Sequence, residues 1–282
     1  MLDVIVSPIT GFCFGVKRAM RLIEEGLGNG GKRIYSIGDV IHNAQAVEDL
    51  KSRGVTPVSS MDELSEGDTL IIRAHGVMPE LIDKARSRGI ELIDTTCPFV
   101  QKSQKYVRKM ADEGRKVIII GDSSHPEVRA ISGQAGPAPL IVSTLEEAES
   151  VTGIDCAGVV IQTTLSREKA MRIVGELEKN IGDLRVHDTI CQATVLRREA
   201  TLELARDVDI VLVVGGKGSS NTKRLFQMCV DAGITARFIE TADDLDPAWF
   251  NDGDRVGLTT GTSTPDWVIE DVLTRLNEIS DC

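Results

Sequence analysis

The chain has 282 residues, 41% hydrophobic and 27% charged, a globular composition that excludes disorder and collagen-like architectures. Its formal charge of −11 has the wrong sign for a generic nucleic-acid partner, and 4% aromatic content argues against base stacking. Any anionic ligand must therefore be held by a local pocket and not by a basic surface. The start, Met1-Leu2-Asp3-Val4-Ile5-Val6, lacks a basic leader, and the longest apolar runs fall far short of a membrane span. The six cysteines are scattered without a C-x-x-C pair, which favours a reduced cytoplasmic setting and no membrane partner.

In chain order, a strand predicted over 4–6 leads to a helix over 16–27. Strands over 33–37 and 70–72 precede a helix over 80–88, and a strand over 91–93 precedes a helix over 99–113. Strands over 117–120, 140–142 and 159–161 are followed by helices over 167–181 and 195–206. The remainder alternates strand 210–214, helix 222–232, strands 236–239 and 255–258, and helix 266–279. Short β-branched strands alternating with amphipathic helices predict an α/β fold with mostly parallel sheets covered on both faces. Only 133–139 is a Gly/Pro-rich linker.

The pattern repeats. Asp94-Thr95-Thr96-Cys97 is echoed by Asp188-Thr189-Ile190-Cys191, each after a strand and before a helix, and Cys13 stands in the same context. Polar loops follow the other strands: 38–43, 73–76, 121–126, 162–164, 215–221 and 261–263. The chain therefore reads as three similar α/β units, 14–97, 98–191 and 192–282, the last completed by the N-terminal strand 1–13. Ligands of open α/β sheets bind beyond the carboxyl ends of the strands. Three such units around a pseudo-threefold axis, a trefoil, would gather Cys13, Cys97 and Cys191 at the centre behind a polar wall.

The residue types give that centre its chemistry. A helix N-terminus stabilises a thiolate, and thiolates bind soft metals. Three without a fourth suggest either zinc with an open position or a [4Fe–4S] cluster with one iron left for substrate. Cys156, Cys229 and Cys282 fall outside the repeat and carry no role. Three of the four histidines, His42, His75 and His125, sit in strand-end loops where a donating ring can contact an anion; His187 does not. In the third unit Ser219, Ser220 and Asn221 open a helix after a Gly-rich loop, a phosphate cradle in physical terms, and Ser263 adds a hydroxyl beside another helix start. Glu127, two residues after His125, is a candidate proton donor, with Thr163 and Thr164 as hydroxyl partners.

Taken together, Gly11-Phe12-Cys13 with Gly15-Val16, Ile41-His42-Asn43, Ala74-His75-Gly76-Val77, Asp94-Thr95-Thr96-Cys97-Pro98 and His125-Pro126-Glu127-Val128 carry a resemblance. Gln162-Thr163-Thr164-Leu165-Ser166, Ile190-Cys191-Gln192-Ala193-Thr194, Ser219-Ser220-Asn221 and Gly261-Thr262-Ser263 complete it across essentially the whole chain. The sequence resembles the 4-hydroxy-3-methylbut-2-enyl diphosphate reductases of the methylerythritol phosphate route to isoprenoids. The resemblance implies one [4Fe–4S] cluster per chain on Cys13, Cys97 and Cys191, with the open iron taking the substrate's hydroxyl. It implies diphosphate contacts from His42, His75, Ser219, Asn221 and Ser263, with His125 and Ser220 completing the pocket. Glu127 would deliver protons with Thr163 beside it, and electrons would come from a carrier such as ferredoxin or flavodoxin. The products would be isopentenyl and dimethylallyl diphosphate. Two other readings share the cysteines: a [4Fe–4S]-dependent hydro-lyase acting on a small anion without redox change, and an oxygen-responsive iron–sulfur sensor. Radical S-adenosylmethionine chemistry is disfavoured because the chain has no C-x-x-x-C-x-x-C run.

Overall fold

A computed structural model describes residues 1–28, 33–136 and 139–281. The first elements are β1 (Asp3–Val6), α1 (Phe14–Gly28), β2 (Ile34–Ile37), α2 (Ala44–Ser52), β3 (Val55–Val58), β4 (Thr69–Ile72), α3 (Pro79–Ser87) and β5 (Glu91–Asp94). Next come α4 (Pro98–Asp112), β6 (Lys116–Ile120), α5 (Pro126–Ser132), β7 (Leu140–Val142), α6 (Leu145–Glu149), β8 (Cys156–Ile161), α7 (Arg167–Asn180) and β9 (Asp183–His187). The last are α8 (Gln192–Leu204), β10 (Ile210–Val214), α9 (Ser220–Asp231), β11 (Ala236–Ile239), β12 (Arg255–Thr260) and α10 (Asp266–Ser280).

The described strands form three four-stranded sheets, ordered β3-β2-β4-β5, β7-β6-β8-β9 and β1-β12-β10-β11. Every pairing is parallel, so the α/β expectation holds. The N-terminal strand joins the last sheet, Val4 registering with Val256 and Val6 with Leu258.

Two strands escaped the sequence pattern, β3 and β9. Both are edge strands, where one face stays wet and a ladder hydrogen bond can be given up. Pro57 in β3 and the charged Asp183 and Arg185 in β9 are tolerated there but break the apolar signal. The helices α2, α5 and α6 were missed too. They span 9, 7 and 5 residues, too short to show a period. Their starts were legible as caps: Asn43 and Thr144 accept from the backbone three residues on, and Pro126 opens α5.

By chain contacts the protein divides into two compact units. The first comprises Met1–Lys17, Ile41–Gly54 and Gln192–Cys282, and the second Arg18–Val40 and Val55–Cys191. Inside the second unit the strand period of two separates the faces of its β6–β9 sheet. Ile118, Ile120, Val159 and Ile161 pack with Ala170, Ile173 and Leu177 of α7. Val117, Ile119 and Val160 pack on the other face with Val100, Val107 and Met110 of α4 and Val128 and Ile131 of α5. The first unit repeats this. Leu212, Val214, Val256 and Leu258 meet Val268, Val272 and Leu276 of α10, while Val211 and Val213 meet Leu225 and Cys229 of α9. Among the described residues no helix is long and apolar enough to cross a membrane.

Candidate active site

Because each sheet is wholly parallel, all its strand-to-helix loops leave from one edge. The three repeat cysteines occupy matching positions on those edges. The N–H of Cys97 donates to the Ala74 carbonyl at 3.0 Å, that of Cys191 to Thr163 at 2.8 Å, and that of Cys13 to Thr262 at 3.0 Å. Each acceptor lies two residues past the end of an inner strand: β4, β8 and β12 respectively. In two of the loops the preceding residues explain why the sequence repeats. The Asp94 carboxylate accepts from the Thr96 N–H, and Asp188 from that of Ile190, forming short side-chain turns. The hydroxyls of Thr95 and Thr189 donate to the carbonyls of Ile72 and Ile161, anchoring each turn to the neighbouring strand. The chain then delivers each cysteine to the start of a long helix, α4 or α8.

The thiols of Cys13, Cys97 and Cys191 are partly exposed and outside any disulfide. Cys229 differs: it is fully buried in the core, and burial pushes its thiol up to about 11. Cys156 starts β8 beside the Asp183 carboxylate, and Cys282 lies outside the described residues. Among the described residues no three His, Cys, Asp or Glu side chains are grouped closely enough for a single metal ion. The donor set itself, three reduced thiols at helix starts, has the chemistry of a soft iron centre and not of a hard-cation site.

Within the second unit the acid and its partners meet. Glu127, on the first turn of α5, is 1% exposed. Its Oε1 accepts the Thr163 N–H at 2.7 Å and its Oε2 accepts the Thr163 hydroxyl at 2.6 Å. Thr163 is also the residue whose carbonyl receives the Cys191 N–H, so one residue ties the acid to a candidate ligand. Thr164 lies one step away, its hydroxyl accepting from Gln162 Nε2 at 3.3 Å. His125 caps α5 with its ring: Nδ1 accepts the Glu127 N–H at 3.1 Å, which leaves Nε2 to carry the proton of the neutral ring. The ring of His75 stands edge-on to that of His125, centroids 5.7 Å apart. His187 has no place here. It stacks on Tyr106 with centroids 3.9 Å apart, and burial followed by the nearby Arg185 charge holds its pKa below the ordinary value.

Within the first unit lie the anion-binding candidates. Ser219 caps α9 by accepting the Thr222 N–H at 3.2 Å, and Ser220 opens the helix. The Ser263 hydroxyl donates to the His42 carbonyl at 3.3 Å. The His42 backbone runs so close to the Gly-rich loop that a Cβ on Gly216 would fall 2.5 Å from its carbonyl oxygen. Two buried amides have a donor to spare: Nδ2 of Asn221, 6% exposed, and Nδ2 of Asn43, 2% exposed, find no partner among the described residues. An orphaned buried N–H costs roughly 1–3 kcal/mol, a cost an anionic ligand removes by supplying acceptor oxygens. Asn43 was quoted in the sequence only as part of a motif. Its Oδ1 is spent on capping α2, and the spare amide on the other side is visible only in the fold.

The LytB protein family pattern matches residues 4–277. This chain belongs to the LytB family. Among LytB relatives it is 41% identical to the 4-hydroxy-3-methylbut-2-enyl diphosphate reductase of Aquifex aeolicus (strain VF5), covering 100% of this chain and 98% of that one. It is 42% identical to the reductase of the same name from Pelobacter propionicus, over 99% of each. A solved structure of (E)-4-hydroxy-3-methyl-but-2-enyl diphosphate reductase, described as the terminal enzyme of the non-mevalonate pathway, superposes with a TM-score of 0.76. It is 40% identical, over 99% of this chain and 100% of that one. The Plasmodium falciparum reductase structure superposes with a TM-score of 0.89 at 29% identity, over 99% of this chain and 87% of that one. The resemblance to 4-hydroxy-3-methylbut-2-enyl diphosphate reductases read from the motifs is thereby borne out.

Proposed function

We propose that this chain catalyses the reductive dehydroxylation of 4-hydroxy-3-methylbut-2-enyl diphosphate to isopentenyl and dimethylallyl diphosphate, the closing step of isoprenoid-precursor synthesis. Two electrons and two protons enter, the allylic C–O bond breaks, a C–H bond forms and the hydroxyl leaves as water. One [4Fe–4S] cluster, held by Cys13, Cys97 and Cys191 with one iron open, supplies Lewis acidity and electrons when bound. The electrons originate in an external carrier protein such as a ferredoxin or flavodoxin, in the cytosol.

The chain's own residues do the rest. Ser219, Asn221, Ser263, His42 and His75 bind the diphosphate, with Ser220 and His125 completing the set of donors. Glu127 holds the proton destined for the departing hydroxyl. The Thr163 hydroxyl, 2.6 Å from Oε2, is the neighbour through which a proton can be returned to it. The single observation that carries this assignment is the double role of Thr163, which clamps both oxygens of Glu127 and receives the N–H of Cys191. An acid fixed on the same residue as a metal ligand serves chemistry at that metal.

The test is anaerobic purification with iron, sulfide and visible-spectrum analysis, then turnover with a one-electron reductant. We expect both diphosphate products, formed only when reductant is present. Loss of water without consumption of electrons would identify a hydro-lyase and overturn the proposal.

A further inference from the structure

Helix α8 buries a polar face made of Thr194, Arg197 and Thr201 along with Ala200 and Leu204. Arg197 is 2% exposed, and its guanidinium works as a clamp. One terminal nitrogen donates to the Thr260 carbonyl at 2.9 Å, the Thr260 hydroxyl at 2.6 Å and the Gly261 carbonyl at 3.0 Å. The other donates to the Gly11 carbonyl at 2.8 Å. The Gly11 N–H is held in turn by the Thr260 hydroxyl at 3.0 Å, so both backbone groups of the turn before Cys13 are fixed. Gly11 itself sits at φ 70°, a left-handed conformation that favours glycine, with the Asp266 carboxylate crowding the place a Cβ would take.

All four acceptors are neutral oxygens, and Nε has no partner among the described residues. Burial pushes the guanidinium down to about 10, still a cation at neutral pH. A buried cation without a counter-ion is strongly disfavoured, so its retention calls for an anion that the folded chain alone does not provide. The negative charge of a centre bound at Cys13, two residues past the clamped Gly11, would be that anion.

We propose that Arg197 is a positioning residue and counter-charge for Cys13, setting the turn that presents this ligand and easing one-electron reduction at the metal it holds. This rests on the cluster assignment above. One-electron reduction would add one unit of negative charge to a centre that Cys13 helps to hold. A fixed cation in a low-dielectric surround stabilises that reduced state more than the oxidised one.

The test is a dye-mediated redox titration of the cluster, followed by its visible absorbance, in the wild-type, Arg197→Gln and Arg197→Lys holoenzymes. The expected result is a one-electron equilibrium shifted against reduction by about tenfold in R197Q, or about 59 mV, with R197K close to wild type. Equal midpoints in wild type and R197Q overturn the proposal, even if R197Q melts at lower temperature, because a purely structural clamp moves stability and not potential. If R197Q retains no iron, R197K decides: a lysine that restores both cluster and potential supports the counter-charge. A lysine that restores neither leaves only the geometry of the fork and overturns it. Wild-type iron content, taken first, tests the cluster assignment separately; a wild type without a cluster sinks both.

Discussion

In the second unit both carboxylate oxygens of Glu127 receive donors from Thr163, whereas in the first unit the Nδ2 groups of Asn43 and Asn221 are buried without an acceptor among the described residues. Both sets of polar groups are buried, yet they solve opposite problems. A group that must carry a proton repeatedly needs one fixed geometry in every state, so its hydrogen bonds are internal. A cradle for an anion needs donors left over, and it carries their desolvation cost until the ligand arrives. Glu127 rises from a short helix beginning six residues after the end of β6, while the amides lie at the starts of α2 and α9.

That contrast can be broken at several points. The largest effect is expected outside both regions: Ser at Cys13, Cys97 or Cys191 should abolish the broad visible absorbance of the centre, since a neutral hydroxyl is a poor soft-metal ligand. Cys229→Ser should keep it; the reverse pattern, by iron analysis, would undo the ligand assignment. Next come the cradle amides and hydroxyls. Asn221→Leu or Ser263→Ala removes a hydrogen bond to a charged group worth about 1.5–3 kcal/mol, roughly a 10- to 150-fold loss of affinity by calorimetry. Because Asn221→Leu also removes an orphaned donor, the ligand-free variant should melt no lower than wild type. A smaller effect follows from Gly216→Ala, whose methyl meets the His42 carbonyl. Overpacking of this kind costs about 1–3 kcal/mol, and it should appear in thermal melts together with weakened diphosphate binding.

The smallest effect concerns His187, the histidine that belongs to neither region. Its folded pKa is depressed below the ordinary 6.5, so the unfolded chain binds the proton more readily. The stability it contributes is therefore present above pH 6.5 and is lost as pH falls through its folded value. His187→Phe keeps a ring to stack on Tyr106 and should flatten that acid limb, measured as urea midpoints from pH 7 down to 5. An unchanged limb would assign the acid sensitivity elsewhere.

Much of this was legible before folding. The cysteines, His125 and Glu127 stand in motifs whose spacing is set by local turns, and local turns are written in sequence: an Asp two residues before the N–H it accepts, a Pro at the first helical position. Buried inner strands such as β6 and β10 announce themselves as unbroken β-branched runs. What could not be read depended on partners far along the chain. Arg197 lies on a helix whose buried face is polar, so hydropathy treats it as solvent-facing, and its acceptors are some 60 residues later and 186 earlier. The spare amide of Asn43 is a fact about what surrounds the side chain, and no residue type encodes that. Thr163 read as a mere hydroxyl partner, while its backbone N–H and carbonyl do as much of the joining.

The most direct measurement of the central division between acid and cradle is Glu127→Gln, examined for turnover and for substrate-induced change of the cluster spectrum on one preparation. Gln keeps the shape of the buried site and can still accept from Thr163, but it has no proton to give. The expected result is a cluster spectrum that responds to substrate as in wild type, with reductant-driven turnover lowered by about 10²–10⁴-fold. Near-normal turnover would show that Glu127 merely opens a helix, and a spectrum that no longer responds to substrate would make it part of the binding apparatus instead.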